Sequence, residues 1–180
     1  MACLSERGVG GATVGAVAER AGVSRGAAQH HFPTREDLFL AVLAHMLDNR
    51  SVELRRSAAE VPEGAGRTEA VVSVVAEAFS SVEFQAALQL WASAASDPTL
   101  RTHIVPMEER IGREIHRTTV ELLGVDESVA GARETVQATL DLARGLGLAH
   151  LLTDDTARRR RIVEQWARML ELELDHHRRD

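Results

Sequence analysis

An all-α fold, with a short set of small helices ahead of a longer helical bundle, is predicted by three features of the 180-residue sequence. No stretch alternates apolar and polar residues with the period of two that a half-buried strand requires, and tyrosine, a frequent strand residue, is absent. Apolar residues make up 44% of the chain and recur three and four residues apart, the spacing of a helix face. Prolines number four, at 33, 62, 98 and 106, few enough to permit long helices.

In chain order, residues 2–7 form a first segment that ends at Gly8, Gly10 and Gly11, residues suited to a helix terminus and a turn. Cys3 suits a small buried position on that segment. A second helix runs from Thr13 to Ala21, with Thr13 as N-cap and Val14, Val17, Ala18 and Ala21 on one face. Gly22 permits a tight turn, Val23 is expected to plug the core, and Ser24 caps a third helix that reaches about His31. After Pro33, Thr34 and Asp37 have the spacing of a capping box, although Asp is shorter than the preferred Glu. The helix they open spans 35–59. Its inner stripe is Leu38, Val42, Leu43, Met46 and Leu47, and Glu53, Arg55 and Arg56 mark a solvated end. Val61 to Arg67, with Pro62, Gly64 and Gly66, reads as a linker, so a seam is expected within or just after the long helix, dividing residues 1–50 from 51–180.

Helices are further expected at 68–81, 83–96, 98–124, 127–153 and 155–177, with Asp97-Pro98 and Gly124 at two joints and Asp126 and Asp154 as N-caps of the last two. Val129, Val136, Leu140, Leu148 and Leu151 form the stripe of the first of these two; Ile162, Val163, Trp166, Leu170 and Leu174 form that of the second. Ala143, Gly145, Gly147 and Ala149 permit close helix approach, within one chain or between two.

Composition excludes several classes. One cysteine rules out an internal disulfide framework and a multi-cysteine zinc site, as befits a reducing compartment. No run is long and apolar enough for a membrane span and no secretory leader is visible, so a cytoplasmic protein without a membrane partner is expected. All 21 basic residues are arginine, the bias of a GC-rich coding sequence. The net charge of −6 argues against a nonspecific nucleic-acid coat, yet residues 1–50 carry five arginines against five acids, so the acidic excess lies beyond them.

Residues 17–43, VAERAGVSRGAAQHHFPTREDLFLAVL, carry the functional signal. Small Ala18, turn Gly22, apolar Val23 and capping Ser24 are what a helix-turn-helix needs to hold two helices steeply crossed, with the second projecting into a DNA major groove. Over roughly residues 3–50 the chain resembles the TetR family of bacterial repressors in its threonine-initiated helix, its Ala-Gly-Val-Ser turn, the His-Phe that ends the recognition helix and the basic-acidic start of the next. The resemblance implies an N-terminal helix-turn-helix DNA-binding domain followed by a helical ligand-binding and dimerisation domain. It places Arg25, Ala27, Gln29 and His30 toward bases or the groove, and Thr13, Ser24, His31, Thr34 and Arg35 toward phosphates, with Phe32 in the core. Side-chain chemistry agrees: arginine grips guanine bidentately, glutamine pairs with adenine, and hydroxyls suit phosphates.

Two departures accompany the resemblance. The family usually has Leu-Tyr where this chain has Ala28-Gln29, which makes the apolar anchor smaller and removes a phosphate-binding tyrosine. Its first helix usually begins well upstream, whereas only the end, Ala2-Cys3-Leu4, is recognisable here; a late start or a shortened helix one is expected, and a shortened one would expose the apolar faces of the next two helices. The implied function is a regulator, a repressor, whose homodimer binds a near-palindromic operator in double-stranded DNA and releases it on binding a small molecule. The alternative is a dimeric helical ligand-binding or interaction module that has lost DNA binding with helix one.

By the same resemblance Phe79, Phe84, Leu88, Trp91, Met107, Ile111 and Arg144 are candidates to line a ligand pocket, Arg144 as an anion partner; as residue types they suit ordinary core or surface better. The homodimer is expected through the last two helices. His30-His31 and His176-His177 invite a metal, but adjacent helical residues diverge and no carboxylate or cysteine set completes a site. Arg158 to Arg161 reads as a solvated face. Gly145 and Gly147 lack the third glycine and the strand of a dinucleotide fingerprint. No nucleophile-base spacing suggests an enzyme, and no cofactor is implied.

Overall fold

The computed structural model describes residues 2–64 and 66–177, with side chains at all of these except 46–55, 58 and 177. Among the described residues the chain is helical without strands: α1 (Ala2–Gly11), α2 (Val14–Ala21), α3 (Arg25–His31), α4 (Arg35–Ala59), α5 (Arg67–Ala78), α6 (Val82–Ser96), α7 (Pro98–Leu123), α8 (Ala132–His150) and α9 (Thr156–His177).

Local chemistry accounts for most boundaries. The Thr13 hydroxyl accepts from the Ala16 amide at 3.1 Å and opens α2, and the Ser24 hydroxyl does the same for α3 from Ala27. At the start of α4 the Thr34–Asp37 box closes in both directions: the Thr34 amide donates to the Asp37 carboxylate at 3.0 Å, and the Asp37 amide donates to the Thr34 hydroxyl at 3.1 Å. The Thr34 hydroxyl itself donates to the same carboxylate at 2.6 Å, and these bonds hold Asp37 below the usual carboxylate range. A depressed carboxylate stabilises the fold above its unfolded value and loses that contribution as pH falls through the folded one. The stability difference between the parent and Asp37→Asn should therefore shrink as pH drops from about 5 toward 2, read by urea titration at each pH.

Two boundaries differ most from those expected. The first helix does not stop at the glycines but bends at Gly8, where φ is 64°, and continues to Gly11. Gly8 serves that bend because left-handed backbone is costly for other residues. The α8 helix begins at Ala132, not near 127. Asp126 turns back on itself to accept from the Ser128 amide at 2.9 Å, and left-handed Gly131, at φ 85°, is the residue before α8. Val129 therefore lies outside α8. Asp154 does act at the start of α9, accepting from the Thr156 amide at 3.2 Å.

The chain divides into two compact units. The first comprises Met1–Arg50 with Val82–Ile111. Its core joins Leu4 of α1, Phe39 and Leu43 of α4, Ala87 and Leu90 of α6, and Ile104 of α7, with Val9, Val42, Trp91 and Met107 packed against it. Cys3 is buried as expected, and so are Leu38 and Leu43 of the α4 stripe; Met46, Leu47, Glu53 and Arg55 lie outside the described side chains.

The second unit comprises Ser51–Ser81 with Gly112–Asp180. There α5 packs against α8 and α9, and the buried residues of the unit include Val71 and Val75 of α5, Phe79 just after it, Val136 and Leu140 of α8, and Val163 and Leu170 of α9. Two of its buried hydroxyls are bonded: Thr119 donates to the Ile115 carbonyl at 2.8 Å, and Thr139 donates to the Thr135 carbonyl and accepts from the Trp166 indole at 3.1 Å. Glu127 bridges His116 at 2.8 Å and Arg133 at 3.0 Å, which secures the turn ahead of α8. Ala143 and Gly147 are buried, whereas Gly145 is exposed. The α8 stripe is split: Val136 and Leu140 are buried, but Leu148 and Leu151 face solvent.

Candidate nucleic-acid interface

The two helices of the motif are joined by a turn whose geometry explains its residues. Gly22 is left-handed at φ 68° and ψ 24°; the Val23 amide donates to the Ala18 carbonyl at 3.0 Å and the Gly22 amide to that of Glu19 at 3.2 Å. These paired bonds close α2 as a Schellman motif and leave Ser24 placed to open α3. Val23 is thus used through its backbone and is not the expected core plug; its side chain is 50% exposed. Small residues fill that role, Ala18 and Ala28, both buried. Phe32, expected in the core, is half-buried. A methyl group on Gly22 meets nothing within 4 Å, so Gly22→Ala tests backbone conformation alone. It should cost about 1–2 kcal/mol in a denaturant melt. No measurable loss would mean the turn tolerates another geometry.

All nine proposed DNA-facing residues are exposed: Thr13, Ser24, Arg25, Ala27, Gln29, His30, His31, Thr34 and Arg35. They are not equally available. Arg25 and Gln29, one helical turn apart on α3, share a face. Arg25 makes no hydrogen bond or ion pair with another described residue, so its guanidinium is available to a partner. Arg35 is held instead, donating to the Val9 carbonyl and stacking 5.1 Å from the Phe39 ring centre. Thr34 is committed to Asp37 through both its amide and its hydroxyl, so a phosphate would have to displace the capping box. Thr13 and Ser24 use their hydroxyl oxygens as acceptors only, which leaves each O–H free to donate. The His30 and His31 rings meet edge to face, centres 5.8 Å apart.

In the same unit, Arg20 of α2 grips Glu6 of α1 with two bonds of 2.5 and 3.0 Å, an exposed ion pair that holds the Glu6 carboxyl below its usual range. Neither Glu6 nor Arg20 is recognisable from the motif, because they meet only when α1 folds beside α2.

The ligand-pocket candidates divide between the units. Phe84, Leu88, Trp91, Met107 and Ile111 belong to the first, and Phe79 and Arg144 to the second. Phe84 and Trp91 meet edge to face at 5.8 Å, and the Trp91 indole donates to Glu108 at 2.7 Å. Glu108 was not foreseeable, since its partner lies on another helix at no helical spacing. In the second unit the Arg144 guanidinium lies 5.3 Å from the Phe79 ring centre and pairs with Asp141. Among the described residues no cluster of three metal-binding side chains occurs, and His177 lies outside the described side chains. No single described helix is long and apolar enough to cross a membrane.

Residues 1–42 match the family model for bacterial regulatory proteins of the tetR family. The chain is 32% identical over 165 residues to the HTH-type transcriptional regulator CymR of Pseudomonas putida, covering 88% of this chain and 79% of that one. It is 28% identical over 155 residues to the HTH-type transcriptional regulator BetI of Burkholderia mallei, covering 84% and 77%. The fold matches the crystal structure of a transcriptional regulator from Rhodococcus sp. Rha1 with a TM-score of 0.69 at 22% identity, over 96% of this chain and 90% of the other.

Proposed function

Because the chain belongs to the TetR family of bacterial regulatory proteins, we propose that it is a homodimeric, cytoplasmic repressor that reads a near-palindromic operator through α3 and releases it when a small molecule binds. The observation that carries this reading is the exposed pair Arg25 and Gln29 on a helix set by Gly22 and Ser24. Arg25 offers the fork that fits guanine, and Gln29 the amide that fits adenine. The phosphate-facing role falls to Thr13, Ser24 and His31, with Arg35 and Thr34 contributing only if they leave their present partners.

In this reading residues 1–50 bind DNA, and residues 51–180 bind the ligand and dimerise. The core of the first unit gives the ligand a route to the DNA-reading helices. Trp91 and Met107, two pocket candidates, pack against a cluster that also holds Leu4 of α1 and Phe39 and Leu43 of α4. A ligand that shifts Trp91 thus acts on the cluster that holds α1, and α1 in turn contacts α2. Dimerisation is assigned to α8 and α9, whose Leu148, Met169 and Leu172, with Leu151 just after α8, are exposed apolar residues that a second copy would cover.

Selection of bound duplexes from a random-sequence pool by the full chain tests the reading. Two inverted half-sites, with two chains per duplex, are expected. Absence of enrichment would favour the dimeric helical module that does not read DNA.

A further inference from the structure

We infer that Arg7, at the bend of α1, is a further DNA-phosphate contact that shares one phosphate with Thr13 at the start of α2. The inference rests on the DNA-reading function proposed above and adds a residue to its backbone contacts.

The arginines with described side chains in residues 1–45 are Arg7, Arg20, Arg25 and Arg35. Arg20 is paired with Glu6, and Arg35 donates to the Val9 carbonyl. Arg7 and Arg25 are exposed and make no hydrogen bond or ion pair with another described residue. Arg25 stands on α3, where its fork suits a base. Arg7 lies outside that helix, and an exposed guanidinium with no partner inside the fold is a cation available to a phosphate. The neighbouring carboxylate does not compete for it. Both oxygens of Glu6 are held by Arg20, and Glu6 feels Arg7 only through its charge.

The bend directs the Arg7 side chain. Gly8, at φ 64°, turns α1 immediately after Arg7. A methyl group on Gly11 would lie 2.6 Å from Arg7 Cβ and 3.7 Å from its Cγ and Cδ, so the Arg7 stem runs alongside Gly11. The Gly11 carbonyl accepts from the Thr13 amide at 3.0 Å, which fixes the N-cap of α2 two residues on. Two Cα steps of about 3.8 Å place Gly11 and Thr13 no more than about 8 Å apart, a gap that one phosphate hydrogen-bonded on both sides can span. The Thr13 hydroxyl accepts from Ala16, so its O–H is free to donate to that phosphate while Arg7 supplies the charge. Arg35, at the start of α4, holds the Val9 carbonyl within the same bend. An arginine expected at a phosphate itself thus secures the segment that presents another.

Affinity of the full chain for its selected duplex, followed from about 50 to 200 mM salt, tests this with Arg7→Ala, Arg7→Lys and Arg101→Ala. Arg101 of α7 is likewise exposed without a described partner, so its removal reproduces the change in net charge. Circular dichroism checks that each variant keeps its helix content. With two chains per duplex, Arg7→Ala removes two phosphate contacts, so the slope of log affinity against log salt should become shallower by about 1.8. The parent's advantage over this variant should then shrink about tenfold across that salt range. The loss should be equal for duplexes altered at single base pairs. Arg7→Lys should keep most of the parent's slope, because lysine remains a phosphate cation, and Arg101→Ala should keep all of it. An unchanged slope in Arg7→Ala, a loss confined to one base pair, or an equal change in Arg101→Ala overturns the contact and leaves DNA reading standing. A parent chain that enriches no duplex defeats DNA reading itself, and the contact with it.

Discussion

Leu90→Ala should cost about 2–5 kcal/mol of stability. Leu90 is fully buried in the first unit, among Leu4, Phe39, Leu43, Leu100 and Ile104. Its truncation removes transfer free energy and leaves a cavity lined by three other helices, none of which closes it without moving away from another. The urea midpoint should fall with an unchanged slope. Because the same cluster holds side chains of α1 and α4 in the unit that also carries α2 and α3, operator affinity should fall too, in proportion to the folded fraction. Leu88, half-buried on the same helix, should cost less when truncated. Equal losses at the two positions would show that α6 does not meet this core through the face described.

Arg25→Ala should relax discrimination at one base pair by about 1–3 kcal/mol while leaving other positions of the operator unchanged. Its guanidinium projects from the first residue of α3 and makes no hydrogen bond or ion pair with another described residue. By contrast Arg20 is bound to Glu6 and Arg35 to the Val9 carbonyl. Affinities for duplexes altered one base pair at a time separate the possibilities. Loss confined to a single position marks a base contact; equal weakening across all sequences, with a shallower dependence on salt, marks a phosphate contact instead. Gln29→Ala should act at a different position from Arg25→Ala, since the two side chains are one helical turn apart.

What was legible in the sequence was local. Thr13, Ser24 and the Thr34–Asp37 box each cap a helix through bonds spanning three residues, so spacing alone finds them. Gly22 was legible for the same reason: a turn between two short helices needs a left-handed residue. Long-range packing was not. Nothing in the spacing of α6 shows that Leu90 belongs with Leu4 and Phe39, because those contacts join segments far apart in the chain. The Val23 reading failed because its apolar side chain suggested burial, while its amide is the group that closes α2. Asp126 and Gly131 both suit a helix start, and an Asx turn at the first left the second next to α8. On α9 Ile162 and Trp166 read as one stripe with Val163, Leu170 and Leu174, and only burial separates them, the first two being half-buried and the other three buried. Of the site, the residue identities on α3 were legible, whereas the commitments of Arg35 and Thr34 required the fold.

The central claim is that α3 reads base sequence, and the most direct test is the affinity of the unaltered chain for its selected duplex against a scrambled duplex of the same length and composition, at one fixed salt concentration. The account predicts tighter binding to the selected duplex by a factor of about 10³ or more, typical of specific recognition. Equal affinity for the two, or binding to neither, would contradict it.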